Sequence, residues 1–201
     1  MPPVAPPSPP AGGHATPAEL AATIAADAER SDQATDAKAR EALASAAEHD
    51  AEACLSQAPG NVACLYGHAV ALGLDARAHP THAVPLLGQM LDALKRAESV
   101  DPDYDEAGPE RVRALVLLRA PGWPLGPGDP DAALAAAQSA VARRPDYPPN
   151  RLALAEALAK TGDAAGARAN YTQALDAARA APPSATREGW LREAEQGLAH
   201  P

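Results

Sequence analysis

Prolines 59, 102 and 145 stand 43 residues apart, and Pro102-Asp103-Tyr104 returns unchanged as Pro145-Asp146-Tyr147. A tighter register lies over this one. Gly128-Asp129 returns 34 residues on as Gly162-Asp163, and Ala133, Ala137, Ala140 and Val141 match Ala167, Tyr171, Ala174 and Leu175. A fixed period of this length implies like units stacked in a row, each burying its apolar face on the next. The units are expected to be helical. Hydrophobic residues make up 46% of the chain, mostly alanine; phenylalanine is absent and aromatics are 3%. Small side chains suit close-packed helices, whereas a sheet core wants β-branched and aromatic residues. The expected fold class is all-α, an array of helices with a capping helix at its C-terminal end.

The chain divides near residue 15. Six of the first ten residues are proline, so residues 1–15 are expected to form a disordered Pro-rich tether. The repeat domain is expected over 16–199. Thr16, Pro17 and Glu19 form a capping box that starts a helix running to about Arg30. A break at Ser31–Thr35 precedes a helix from Asp36 to Ser56, with Ala39, Leu43, Ala46, Ala47 and Leu55 on its apolar face. Next come a helix over Asn61–Leu74, an extended connector over Gly73–Thr81 and a helix over His82–Val100. The helix Pro109–Arg119 is apolar around most of its circumference and is expected to be the most buried. Asp129, Pro130 and Asp131 start the helix after it. A last helix follows Pro182-Pro183-Ser184, with Trp190, Leu191, Ala194 and Leu198 as its packing stripe.

The period of 34 resembles the tetratricopeptide repeat (TPR), which implies a right-handed superhelix of antiparallel helix pairs. In Pro148–Ala181, Leu154, Ala155 and Leu158 stand at first-helix packing positions, Gly162-Asp163 makes the turn, and Ala167, Tyr171, Ala174 and Leu175 pack the second helix. Arg151 and Arg179 replace the family's Trp and Pro. The repeat before it is 43 residues long, and its nine extra residues are expected between its helices, in Arg119–Pro130.

That stretch has prolines at 121, 124, 127 and 130, a spacing that places four rings along one edge of an extended polyproline segment. Gly122, Gly126 and Gly128 relieve the backbone at turns. Trp123 has two open readings: a plug folded back between helices, or an aromatic anchor for a partner or ligand, with Pro121, Pro124 and Leu125 beside it. Arg119 is expected to cap the carbonyls of the preceding helix.

Chemistry-bearing motifs are few. The net charge of −9 lacks the basic footprint of a nucleic-acid surface, and no apolar run is long enough for a transmembrane segment. No charged region followed by an apolar one opens the chain, so a signal peptide is not expected in this stretch. Cys54 and Cys64, the two cysteines, flank the Pro59-Gly60-Asn61 turn and are either a disulfide or two small buried thiols. His79 and His82 lack the further ligands of a metal site, so no metal and no cofactor is expected. Neither a nucleophile elbow nor a phosphate-binding glycine loop is found, and the chain is read as not an enzyme.

The run Leu118-Arg119-Ala120-Pro121-Gly122-Trp123-Pro124-Leu125-Gly126-Pro127-Gly128-Asp129-Pro130, followed by Pro145-Asp146-Tyr147-Pro148-Pro149-Asn150 and Leu154-Ala155-Glu156-Ala157-Leu158, resembles the T-component (TatT) family of TRAP transporters. The resemblance covers about Ala47 to Leu175. It implies a periplasmic lipoprotein, lipid-anchored in its full-length precursor, that assists a solute-binding protein and is able to form homo-oligomers. The expected function is therefore non-enzymatic binding of that protein, with an apolar small ligand as a further candidate. First-helix residues would line the concave side, with Tyr66, Leu152 and Glu156 as candidates by repeat position. The alternative is a generic scaffold for protein assembly without a transport role, and a cytoplasmic location is the alternative to the periplasm.

Overall fold

Five helices begin where a side chain supplies an acceptor for their first free amides. Thr16 and Glu19 form a reciprocal capping box, and Asp36, Asn61, Asp129 and Asp163 each accept from amides in the following turn. The computed structural model describes residues 15–199, so all of the expected tether except Ala15 lies outside the described residues. Nine α-helices follow among the described residues: α1 Pro17–Gln33, α2 Ala37–Gln57, α3 Val62–Ala78, α4 Ala83–Val100, α5 Tyr104–Arg119, α6 Pro130–Arg143, α7 Pro148–Thr161, α8 Ala164–Ala180 and α9 Ala185–Ala199. None of these is long and apolar enough to cross a membrane.

The helices pair as α1–α2, α3–α4, α5–α6 and α7–α8, with α9 against α7 and α8. Each odd-numbered helix also touches the next odd-numbered one, whereas successive even-numbered helices do not touch. The stack therefore curves, with odd-numbered helices on its inner side. Alanine allows this close approach. Ala133, Ala137, Ala140, Ala167 and Ala174, all in the 34-residue register, are at most 1% exposed. Helix α9 buries Ala194 and packs Trp190, Leu191 and Leu198 around it, while Glu188, Arg192 and Glu195 face water.

Three local expectations need correction. Helix α1 continues through Ser31, which is buried, as far as Gln33. Helix α3 continues to Ala78, so the expected extended connector reduces to the short 3-10 turn Pro80–His82. Gly73 sits inside α3 because Met90 of α4 packs against it; a Cβ there would lie 3.1 Å from the Met90 methyl. The inward face of α2 is Ala44, Ala47, Ala51 and Cys54, whereas Ala39 and Ala46 are exposed. Cys54 and Cys64 are bonded to one another and fully buried, beside Leu20 of α1. Reducing this bridge opens a short loop between α2 and α3. We expect a stability loss of about 2–3 kcal/mol on the chain-entropy estimate, measured by urea unfolding with and without reductant.

The repeated Pro-Asp-Tyr tripeptides have different sequels. After Tyr147, Pro148 starts α7 at once. After Tyr104 the backbone makes a left-handed turn, with Asp105, Glu106 and Ala107 at φ values of 50°, 55° and 62°. Side chains disfavour this region by about 1–2 kcal/mol per residue, so other contacts must hold the turn. Arg111, only 8% exposed, supplies many of them. Its Nη1 donates to the carbonyls of Asp105 (3.1 Å) and Glu106 (3.2 Å) and to Asn150 Oδ1 (3.1 Å). Its Nη2 donates to the Asp105 carboxylate at 2.7 Å.

The same guanidinium lies 5.1 Å from the centre of the Tyr147 ring. Asn150, fully buried, donates to the carbonyls of Glu106 (3.0 Å), Ala140 (3.2 Å) and Arg144 (3.2 Å). The turn also relocates part of the repeat's excess length. Pro102 to Pro109 is four residues longer than Pro145 to Pro148, and Pro109 to Pro130 is five longer than Pro148 to Ala164. The nine extra residues are thus split between the left-handed turn and the Pro-Gly-Trp-Pro loop, rather than lying wholly in the loop. Replacing Arg111 by alanine removes the donor to the Asp105 carbonyl and to the buried Asn150 Oδ1, and one of two donors to the Glu106 carbonyl and the Asp105 carboxylate. The expected cost is about 1–3 kcal/mol, seen as a downward shift of the thermal midpoint.

Candidate functional site

The Arg119–Pro130 segment is a closed loop. Gly128 donates its amide to the Pro121 carbonyl at 2.8 Å, and Asp129 donates to the Leu117 carbonyl at 3.0 Å. Within this ring, Leu125 and Gly126 both donate to the Gly122 carbonyl, at 3.0 and 3.2 Å. The Trp123–Pro124 peptide bond is cis. The expected polyproline edge does not form, because these bonds fold the chain back across itself. Gly126 and Gly128 are required by close approach, since neither has a positive φ. A Cβ on Gly126 would lie 2.6 Å from the Pro121 carbonyl oxygen, and one on Gly128 would collide with the backbone of Ala120 and Pro121.

Trp123 stands at the tip of this ring, 90% exposed, with Leu125 beside it at 75%. The reading of Trp123 as a plug between helices is therefore overturned. Pro121 and Pro124 are exposed as well. Next to the tip is an apolar groove of about 360 Å³, walled by Leu87 and Met90 of α4 and by Val112, Leu115 and Val116 of α5, with Pro121 at its edge. Gly73 of α3 leaves room at its base. The groove lies toward the C-terminal ends of α3 and α5; near their N-terminal ends Tyr66 and Asp105 tie the two helices together.

The inner-side candidates fall into different environments. Tyr66 is not free to meet a ligand with its hydroxyl, which donates to Asp105 Oδ2 at 2.8 Å. Its ring packs edge-on against Tyr104, with centroids 5.4 Å apart. Burial pushes the Tyr66 phenol above its ordinary pKa and keeps it a donor at neutral pH. Leu152 is 3% exposed and belongs to the core shared by α7, α8 and α9, because the capping helix covers it. Glu156 does reach the open inner side, but paired. Arg119 Nε and Nη2 donate to its two carboxylate oxygens at 3.1 and 2.7 Å. Arg119 therefore bridges α5 to α7 instead of capping its own helix, and this bonding raises its pKa. His79 is paired with Asp75 at 2.6 Å, a contact that raises the imidazole pKa; His82 is exposed.

Sequence reasoning gives Arg111 and Asn150 no structural role and reads Asp105, with Asp103 and Glu106, as solvated loop charge, whereas Asp105 is bonded to Arg111 and Tyr66. The available signal was the pair of polar residues at apolar repeat positions, Arg111 in α5 and Asn150 in α7, both followed by alanine- and leucine-rich runs.

These features define a TPR-like helical-repeat protein. The tetratricopeptide repeat family profile matches residues 125–185, which span the tip of the loop, α6, the α7–α8 hairpin and the start of α9. A crystal structure of a thermophilic TPR protein from Thermus thermophilus is similar at a TM-score of 0.58 and 24% identity, covering 89% of this chain and 92% of that one. That likeness concerns the fold. No curated protein matches the chain.

Trp123→Ala removes a side chain that supports no helix contact, so the expected stability change is within about 0.5 kcal/mol. Gly128→Ala forces the loop open and is expected to cost about 1–3 kcal/mol. Parallel thermal melts test both; equal effects from the two variants would show that the loop is not closed as described.

Proposed function

We propose that this chain is a protein-binding TPR-like scaffold whose finer role is to assist the solute-binding protein of a TRAP transporter in the periplasm. The observation that carries the binding reading is Trp123, an indole 90% exposed on a loop locked by its own backbone bonds. An exposed aromatic on a prearranged loop loses little conformational freedom on contact and offers a large apolar area, the usual character of an interface anchor. The adjacent groove and the inner side, where Glu156 and Arg119 lie, add further contact surface.

The transport reading is supported by the likeness of the Pro-Gly-Trp-Pro run to the T-component family. A Cys54–Cys64 bridge suits an oxidising compartment such as the periplasm. A scaffold without a transport role is the coarser reading, and the repeat architecture itself supports it.

Affinity capture from periplasmic extract, with the full chain as bait, separates the two. Recovery of a solute-binding protein is the expected outcome. Consistent recovery of a different complex would remove the transport role and leave the scaffold.

A further inference from the structure

The turns inside the four helix pairs lie along one edge of the stack. Arg77 near the end of α3 bonds Asp32 near the end of α1, and Tyr66 in the first half of α3 bonds Asp105 at the start of α5. Asn150 in the first turn of α7 bonds the Glu106 carbonyl, again at the start of α5. The odd-numbered helices therefore run the same way, and their C-terminal ends share an edge with the turns that follow them. The closed loop is the longest of these turns, and the apolar groove lies beside it. Val84, in the first turn of α4, is exposed at the same edge, and Leu87 one turn on walls the groove. Val84, Trp123 and Leu125 are three of the four large hydrophobic side chains exposed among the described residues.

Charge at this edge differs from that on the rest of the chain. Residues 30–40, 75–83, 119–131 and 160–164 hold as many lysines and arginines as acids, so the net charge of −9 lies outside them. The fold has also taken most of the edge's acids for itself. Asp36, Asp129 and Asp163 accept from amides of the helices they start. Asp32 is held by Arg77 and Asp75 by His79, each at 2.6 Å. Asp131 stands in the first turn of α6, whose positive end offsets it. Cations remain unspent. Lys95, away from the edge, lies 3.9 Å from Asp92, whereas Lys38 and Lys160 are exposed at the edge and make no ion pair among the described residues.

We propose that this edge takes an acidic amphipathic helix of the partner, its apolar stripe in the Leu87–Met90–Leu115 groove beside Trp123 and its carboxylates drawn by Lys38 and Lys160. This rests on the reading of Trp123 as an interface anchor, and it names the chemistry of the surface that the anchor meets. A groove walled by two helices accepts the apolar face of a third. An acidic partner is repelled by the rest of a chain of net charge −9, so the field itself steers it to this edge.

The test titrates two labelled synthetic peptides with the purified full chain and follows anisotropy. Both peptides carry the same leucine stripe at helical spacing; one has glutamates on its polar face and the other lysines. The glutamate peptide is expected to bind at least about tenfold more tightly, with high salt narrowing the difference. Lys38→Glu and Lys160→Glu are each expected to weaken the glutamate peptide about threefold, with the thermal midpoint unchanged. Trp123→Ala is expected to weaken both peptides about tenfold. Equal binding of the two peptides, tighter binding of the lysine peptide, or binding of neither overturns the proposal. So does a blue shift of the indole emission with phosphatidylglycerol vesicles but not with the glutamate peptide, which gives the edge to a lipid surface.

The same variants used as bait keep this proposal apart from the reading beneath it. Weaker capture of the extract partner by both Trp123→Ala and Lys160→Glu is expected. Capture lost with Trp123→Ala but undiminished with Lys160→Glu leaves Trp123 as the anchor and overturns the acidic partner. Undiminished capture by Trp123→Ala removes the anchor itself, and the proposal with it.

Discussion

The array depends on one buried guanidinium. Arg111 sits where three helical hairpins converge. Through Asp105, which also accepts from Tyr66, it reaches α3, and through Asn150 and the Tyr147 ring it reaches the start of α7. A stack of helix pairs rich in alanine has little interlocking side-chain volume with which to fix the angle between neighbours. Directional bonds supply that fixity instead. An arginine suits the task because its planar fork donates along several directions at once and stays charged at any ordinary pH. Removing it costs more than its net stabilising contribution, because the Asp105 carbonyl and the buried Asn150 Oδ1 lose their donor.

Similar ties recur along the inner layer. Arg77 of α3 donates to Asp32 and Ser31 of α1, at 2.6 and 3.0 Å, and Arg119 of α5 holds Glu156 of α7. Exposed pairs of this kind contribute little individually. Their role is to set register between helices that alanine alone would let slide. The middle junction differs from these. There the left-handed turn lengthens the entry to α5 and the closed loop lengthens its exit. The apolar groove lies beside the C-terminal end of α5, where that loop begins.

Much of this was legible in the sequence. The 34-residue register marked positions that prove to be buried alanines, and the caps at Thr16, Asp129 and Asp163 fall where Ser/Thr/Asp chemistry predicts them. These are local or periodic signals, and they survive because each depends on near neighbours. The left-handed turn was not legible, since no glycine or asparagine occupies positions 105–107. It is stabilised by Arg111 and, 44 residues beyond Glu106, by Asn150, and no local pattern announces such partners.

The inner-side candidates share one feature. Repeat position assigns a residue to the inner layer but does not say what else has already taken it. Tyr66 is taken by Asp105, 39 residues away. Leu152 is covered by α9, a helix outside the 34-residue unit. Glu156 is claimed by Arg119, 37 residues away, which in turn is drawn from its own helix end. Trp123 is the opposite case. It had two open readings, a plug between helices or an aromatic anchor, and the backbone bonds of its loop hold it out of the groove beside it. The residues that the fold uses are thus the polar ones at apolar positions, and the residue it leaves unused is the largest apolar one. An array that holds itself together with arginine and alanine keeps its one free indole for a surface outside itself.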